Sequence, residues 1–578
     1  MSGTPHRTDS TRGSGRWRLV AVAGVLGLLA FVLVARAVEI QVVERAFLEG
    51  QGHARHVRVN TVPAHRGMIT DRFGEPLAIS SPVDSVWADP SALLPAVDRL
   101  DELARPLGLD PAKLRRRLEA EAQRGREFVY IRRHIPPALG EQVMDLRIPG
   151  VSLRREYQRF YPTGEVSGHV LGFTDIDDRG QTGLERAYDS WLSGQSGAKR
   201  VMRDRLGRVI EDIEQLREPE PGKDLALSLD RRLQYIAYRS LKSTVQRFQA
   251  RSGSIVVLDA RSGEVLAMAS QPGFNPNDRS QLRGPLYRNR AVTDVVEPGS
   301  TMKPFAVAAA LETGKFEPGT PINADPGWMM VGGNTVQDVH NYGAIDVATV
   351  LQKSSNVGVT KIALSLERGR IWRMVDAAGF GRSTASGYPG EAGGHLAPVP
   401  PDSHFERATL AFGYGLSATP LQIAHAYTAF ANDGRMPMIS FLRGGSQEPA
   451  KRVMSEKTAD SVLHMLEGVV TPEGTAERAD ISGYRVAGKT GTSKQAVAGG
   501  YSDDDYLALF AGIVPASDPR FVCVVVVREP KGDSYYGGTV SAPVFREVMS
   551  QALRLYNIPP DEDGGLGPLM IAGGRGHD

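Results

Sequence analysis

The chain has 578 residues with 68 Lys+Arg against 66 Asp+Glu, a balance of +2 that excludes a global electrostatic pull toward nucleic acid. A hydrophobic share of 41% and a mean hydropathy of −0.24 exclude both a polytopic membrane protein and a mostly disordered chain. The lone cysteine, Cys523, excludes intramolecular disulfides and any multi-cysteine metal site.

Residues 19–35 are uncharged, at the lower length limit for a helix crossing the bilayer. Arg7, Arg12, Arg16 and Arg18 precede this run against a single Asp9, so residues 1–18 read as a cytoplasmic tail, 19–37 as a transmembrane anchor, and everything after about residue 40 as exported. Ala35-Arg36-Ala37 leaves a cleaved signal peptide open, but the apolar run is longer than a usual signal core. Residues 40–220 are charge-rich and broken by Gly and Pro, and form an amino-terminal domain. Within it, 114–127 reads as an exposed helix and 218–222 as a linker.

Residues 225–556 are more regular. Asp230 is placed to cap a helix with Leu233, Ile236, Ala237, Leu241, Val245 and Phe248 on its apolar face. Strands at 254–259 and 264–269 flank a turn and read as a hairpin. Residues 285–475 read as mostly helical and punctuated by glycine. Strands at 506–514 and 521–528 form a second pair. A helix over 542–556 has Phe545, Val548, Met549 and Ala552 on one side, and 557–578 read as a mobile tail. Hairpins with helices at both ends give an α+β domain with a central antiparallel sheet covered by helices. Cys523 lies in the apolar run 521–527 and reads as core packing.

Three short elements carry chemistry. Ser300 and Lys303 are three apart after the Pro298-Gly299 turn, and so share a helix face. A serine becomes a nucleophile only beside a base. Lysine serves if burial makes it neutral, a shift from about 10.4 toward 7 worth roughly 4–5 kcal/mol. Ser354-Ser355-Asn356 and Lys489-Thr490-Gly491-Thr492 follow. Each motif alone is weak, but in this order and in an exported chain they match an active-site serine set. A rival pattern, Gly483 to Thr490, has the phosphate-loop spacing but no apolar strand before it and no helix after it.

With these motifs the chain resembles the class B penicillin-binding proteins, most like the division-specific transpeptidases. Arg66-Gly67 through Gly74, Tyr161-Pro162-Thr163-Gly164-Glu165, 169–173 and Gly183-Leu184-Glu185 resemble the family's amino-domain motifs. Phe412-Gly413-Tyr414-Gly415 and Tyr535-Tyr536-Gly537-Gly538 resemble segments of its cleft. Ser493 stands where alanine is more usual, 497–505 is short and acidic, and no added C-terminal domain is expected.

The resemblance implies a mixed α/β pedestal, or dimerisation-type, domain and a penicillin-binding transpeptidase domain that crosslinks peptidoglycan at the septum. Ser300 would attack the D-Ala-D-Ala bond of a stem peptide with Lys303 as base. Ser354, Asn356 and Lys489 would handle the leaving amine. Lys489, Thr490 and Thr492 would hold the substrate carboxylate, beside a site framed by Gly491, Tyr535, Tyr536 and Gly537. Backbone N–H groups of Ser300 and Thr492 would form the oxyanion hole. β-Lactams would acylate Ser300, no cofactor or metal is implied, and the enzyme would sit in the inner membrane with its catalytic domain in the periplasm. Ala23, Gly24 and Gly27 would allow close helix packing, and the resemblance favours the SEDS-family glycosyltransferase FtsW among divisome partners. A β-lactamase, a non-catalytic β-lactam sensor or division scaffold, and an elongation-specific relative are the alternatives.

Overall fold

In a computed structural model the described residues are 14–39, 57–203, 209–281, 284–497, 500–532 and 534–561. Arg7, Arg12 and most of the 557–578 segment lie outside them. A helix spans Ser14–Val38, and its Trp17–Val38 portion is long and apolar enough to cross a membrane, with none of it buried in the protein. It is longer at both ends than the uncharged run, because arginine and tryptophan at the ends do not interrupt helical geometry.

The chain divides into two units. The first comprises residues 1–64, 82–156 and 195–220. It contains a three-stranded antiparallel sheet of Val57–Val62, Gly197–Arg203 and Val209–Arg217. It also contains a separate core built on Leu93, Leu103, Leu118, Ile131 and Val143. The charged helix expected at 114–127 runs Pro111–Gln123. Asp110 caps it by accepting from Lys113 N at 3.1 Å, and it stops at Gly125, whose φ of +69° is the left-handed conformation that ends helices. Only Leu114 and Leu118 of this helix are buried, so its charges form a solvated face.

The second unit comprises residues 65–81, 157–194 and 221–578. Near its start is a buried ion cluster. Glu185, fully buried, accepts from Arg66 Nη2 at 2.7 Å and from Arg159 Nε at 2.6 Å, and both guanidiniums are 1% exposed. Gly222 is pinned here: its N–H donates to His65 O at 2.8 Å, and a Cβ would fall 1.7 Å from Leu192 O. The segment read as a linker, 218–222, holds the boundary between the two units, and only its last residue is packed in this way.

The catalytic elements follow: α1 (Arg231–Arg247), β1 (Ser252–Asp259), β2 (Val265–Gln271), α2 (Lys303–Leu311), α3 (Val347–Gln352), α4 (Asn356–Ser365), α5 (Pro420–Ala431), β3 (Ala487–Val497), β4 (Gly500–Val514), β5 (Phe521–Arg528) and α6 (Ala542–Leu555). Asp230 caps α1 through Arg232 N and Leu233 N. The five strands form one antiparallel sheet in the order β2-β1-β5-β4-β3. Cys523 pairs with Val257 on one side and Gly512 on the other, and its thiol is free and buried. Helices α1 and α6 pack together on the sheet, while α5 packs separately on β1 and β5. Cover on both faces explains why β5 reads as an unbroken apolar run rather than an alternation. Strand β3 is the sheet's edge and lies beside the turn that carries Ser300.

Candidate active site

Ser300 sits in a 3₁₀ turn, Gly299–Met302, rather than on the α-helix itself, which begins at Lys303 with Pro304 in its first turn. Gly299 has φ +56°, a conformation that costs a side chain energy, and its N–H donates to Gly413 O at 3.1 Å. Gly413 in turn lies so close that a Cβ there would fall 2.0 Å from Gly299 O. The 412–415 segment thus buttresses the turn that carries Ser300. Tyr427 of α5 completes the support, donating to Thr301 O at 2.8 Å.

Ser354 lies between α3 and α4 with φ +58°, a strained conformation for a residue with a side chain. Ser355 caps α4, its hydroxyl oxygen accepting from Gly358 N at 2.8 Å. That hydroxyl donates to Asp338 Oδ2 at 2.6 Å, and Asp338 Oδ1 accepts from the N–H groups of Asn356 and, at 3.0 Å, Val357. Asn356 Nδ2 donates to Gln337 O at 2.9 Å, which leaves its Oδ1 pointing at Lys303.

The two lysines converge on one hydroxyl. Lys303 Nζ lies 3.2 Å and Lys489 Nζ 2.9 Å from Ser354 Oγ. Lys303 also donates to Asn356 Oδ1 at 2.8 Å and to Ser354 O. Lys489 also donates to Thr490 O at 3.3 Å. Both side chains are fully buried. Burial brings the Lys303 ammonium down to about 7, against the opposing pull of Asp338. Burial, and then the charge of Lys303, hold Lys489 well below the lysine range. Two ammoniums sharing one buried hydroxyl repel, so the pair gives up charge more readily than an isolated lysine and titrates as a unit.

A cleft of about 640 Å³ opens above them, lined by Ser300, Ser354, Asn356, Thr490, Thr492 and Tyr536 among the residues singled out in the sequence. Lys303 and Lys489 lie beneath it and reach it through Ser354. Gly491 and Gly537 serve through close backbone approach: a Cβ on Gly491 would meet Pro298 O at 3.0 Å, and one on Gly537 would meet Gly491 O at 2.6 Å. Gly537 N also donates to Thr492 Oγ1 at 3.1 Å. Tyr535 backs the wall, stacked on Tyr506 at 3.9 Å and on Tyr536 at 4.7 Å. Thr475, which bonds Thr490 through their hydroxyls at 2.7 Å, was not legible in the sequence. Nor was Glu297, whose carboxylate accepts from Gly415 N at 3.3 Å and Tyr501 OH at 3.2 Å. Asp338 was missed as well. All three act across turns that no local motif joins. Ser493, the atypical residue after the Lys-Thr-Gly-Thr run, donates to Glu297 O at 3.1 Å and so ties β3 to the segment leading into the Ser300 turn.

Two family models match the chain: a penicillin-binding protein dimerisation domain over residues 61–227 and a penicillin binding protein transpeptidase domain over 253–550. The chain is 41% identical to the peptidoglycan D,D-transpeptidase FtsI of Escherichia coli over 96% of its own length and 95% of that protein. It is 40% identical to the probable peptidoglycan D,D-transpeptidase PbpC of Pseudomonas aeruginosa, covering 96% and 97%. Among solved structures, penicillin binding protein 3 of Mycobacterium tuberculosis complexed with aztreonam is 28% identical with a TM-score of 0.66, covering 87% of this chain and 98% of that one. The transpeptidase domain of Burkholderia pseudomallei penicillin-binding protein 3 is 40% identical with a TM-score of 0.54, covering 58% and 98%.

Proposed function

The chain belongs to the FtsI-like class B penicillin-binding proteins and is a peptidoglycan D,D-transpeptidase, and from that premise we propose how its residues divide the reaction. The carrying observation is Lys303: a fully buried amine, brought to about 7, bonded to Ser354 and Asn356 beneath the cleft that Ser300 lines. A neutral lysine has two N–H donors and one lone pair. Asn356 Oδ1 and Ser354 O take the donors, so the lone pair is left to receive a hydroxyl proton.

Lys303 takes the proton of Ser300, whose oxygen attacks the carbonyl joining the two D-alanines of a stem peptide. The N–H groups of Ser300 and Thr492 receive the developing oxyanion, each such donor contributing about 10²–10³-fold in rate. Ser354, held by a hydrogen bond from Lys489, passes its proton to the departing D-alanine amine and is re-protonated by Lys303. The hydroxyls of Thr490 and Thr492 meet the terminal carboxylate, and Lys489 supports this wall from below through Ser354 Oγ and Thr490 O. An amine of a second stem then attacks the acyl-enzyme and gives its proton through Ser354 to Lys303, the ester breaks, and Lys303 returns that proton to Ser300.

The N-terminal apolar helix fits a single pass through the inner membrane. Within this reading the catalytic unit lies in the periplasm at the septum, and the anchor meets FtsW. Replacing the helix with an unrelated anchor and finding full division would remove that partner. For the chemistry, the full chain is treated with penicillin, and intact-mass and peptide spectra are recorded. One adduct on Ser300, absent in Ser300→Ala and retained through a penicillin-free chase, is the expected result. Release within seconds would mean a hydrolase.

A further inference from the structure

We propose that Asp338 is a positioning residue of the transpeptidase: its carboxylate locks the Ser354–Asn356 segment in place and sets a buried negative charge behind the lysine pair. Asp338 is 6% exposed, just after the strand Asn334–Gln337. Its own N–H is tied to Gly327 O at 2.9 Å, so its backbone is fixed independently of the site. The carboxylate takes three donors from the start of α4: the hydroxyl of Ser355 and the N–H groups of Asn356 and Val357. These groups, with Gly358 N on Ser355, are the otherwise unpaired donors of a helix N-terminus, where a negative charge is favoured.

The strained Ser354 is immediately upstream, and Asn356 Oδ1 reaches Lys303 at 2.8 Å. A single side chain therefore fixes both groups that hold the amine. Its charge also opposes the burial of Lys303 and favours the ammonium, as the direction of its contribution shows. The other charged or titratable groups around the pair are Lys489 on β3, and His340, Tyr342, Lys353, Glu473, Glu477 and Arg478 around the cleft. Among the described residues none of these carboxylates bonds either lysine, and Lys353 is engaged by Glu473 O at 2.6 Å.

The inference rests on Lys303 as the base, and one experiment separates the two. Acylation of the full chain by a fluorescent penicillin is timed from about pH 5 to about pH 9 for the wild type, Asp338→Asn and Asp338→Ser, each curve scaled to its own plateau. Wild-type rate is expected to fall with acid around the lysine midpoint. Both neutral variants should lower the plateau and move the midpoint down by about one pH unit, since the lost charge no longer favours the ammonium. Ser355→Ala, which keeps the charge, should lower the plateau and leave the midpoint in place. A wild-type profile without an acid limb refutes the base assignment. An acid limb that both neutral variants leave unmoved refutes Asp338 alone. If neither variant folds, Asp338 is a folding residue and the proposal also falls.

Discussion

Replacing Gly413 with alanine tests whether the 412–415 segment sets the nucleophile. Gly413 has φ +85°, and a Cβ there would lie 2.0 Å from Gly299 O, 2.6 Å from its carbon and 2.7 Å from its nitrogen. Real Cβ contacts essentially never fall under 3.0 Å, so one of the two backbones must retreat by about 1 Å. Ser300 is the next residue, and a misplacement of about 1 Å at a reacting group costs about 10²-fold in rate. The left-handed conformation adds about 1–2 kcal/mol for a residue with a side chain. Gly415→Ala is the control, since its φ of +77° carries the same strain but a Cβ there meets nothing within 4 Å. Timed acylation by a fluorescent penicillin should show Gly413→Ala slowed about 10²-fold and Gly415→Ala changed by no more than about threefold. Equal rates in the two variants would refute the buttress.

Three further outcomes follow from the packing and charges. Glu185→Gln leaves the buried guanidiniums of Arg66 and Arg159 short of an anion and should destabilise the protein by about 3–5 kcal/mol; an unchanged melting temperature would contradict this. Lys303 falls from the ordinary lysine value of 10.5 in the unfolded chain to about 7 in the folded one, so between those values the folded chain binds fewer protons than the unfolded one. Stability should therefore rise with pH across that window, by up to about 1.4 kcal/mol per unit, with the full penalty below pH 7. Melting curves should show that slope shallower in Lys303→Met. Gly512→Ala would drive a methyl to 2.5 Å from the Phe545 ring and 2.8 Å from Phe510, a core overfilling of about 1–3 kcal/mol visible in the same melts.

The catalytic motifs were legible because their chemistry is local. A serine and a lysine three residues apart, a Ser-Ser-Asn and a Lys-Thr-Gly-Thr are each weak alone, but their order along the chain is read directly from the sequence. The strands 521–528 and 506–514 were legible from unbroken apolar runs, though β4 begins earlier, at Gly500. Its first residues are rich in Ser and Asp, which mask a strand whose partner is the sheet's edge strand, β3. Ser300 was expected at a helix start and lies on a 3₁₀ turn, because Gly299 enters from the left-handed region and Pro304 cannot donate in the turn that follows. Gly222 ends the segment read as a linker, where the unit boundary does fall, but its close approach to Leu192 O carries no sequence signal. Asp338, Thr475 and Glu297 were illegible for one shared reason: each meets its partner only after the fold closes, and a carboxylate or threonine in a turn carries no periodic signal.

The order of the central sheet has a consequence for the enzyme's birth. Strands β1 and β2 of the sheet are synthesised early, and their apolar hairpin has no neighbour on the β1 edge until β5 is made, roughly 250 residues later. Ser300, Ser354 and Lys489 all lie in that interval, before the strand that clamps the sheet together. A chain that ends short of β5 therefore holds all three motifs and no assembled cleft. Its open edge is the segment a chaperone would most need to cover, and acquisition of penicillin sensitivity should mark the moment β5 docks.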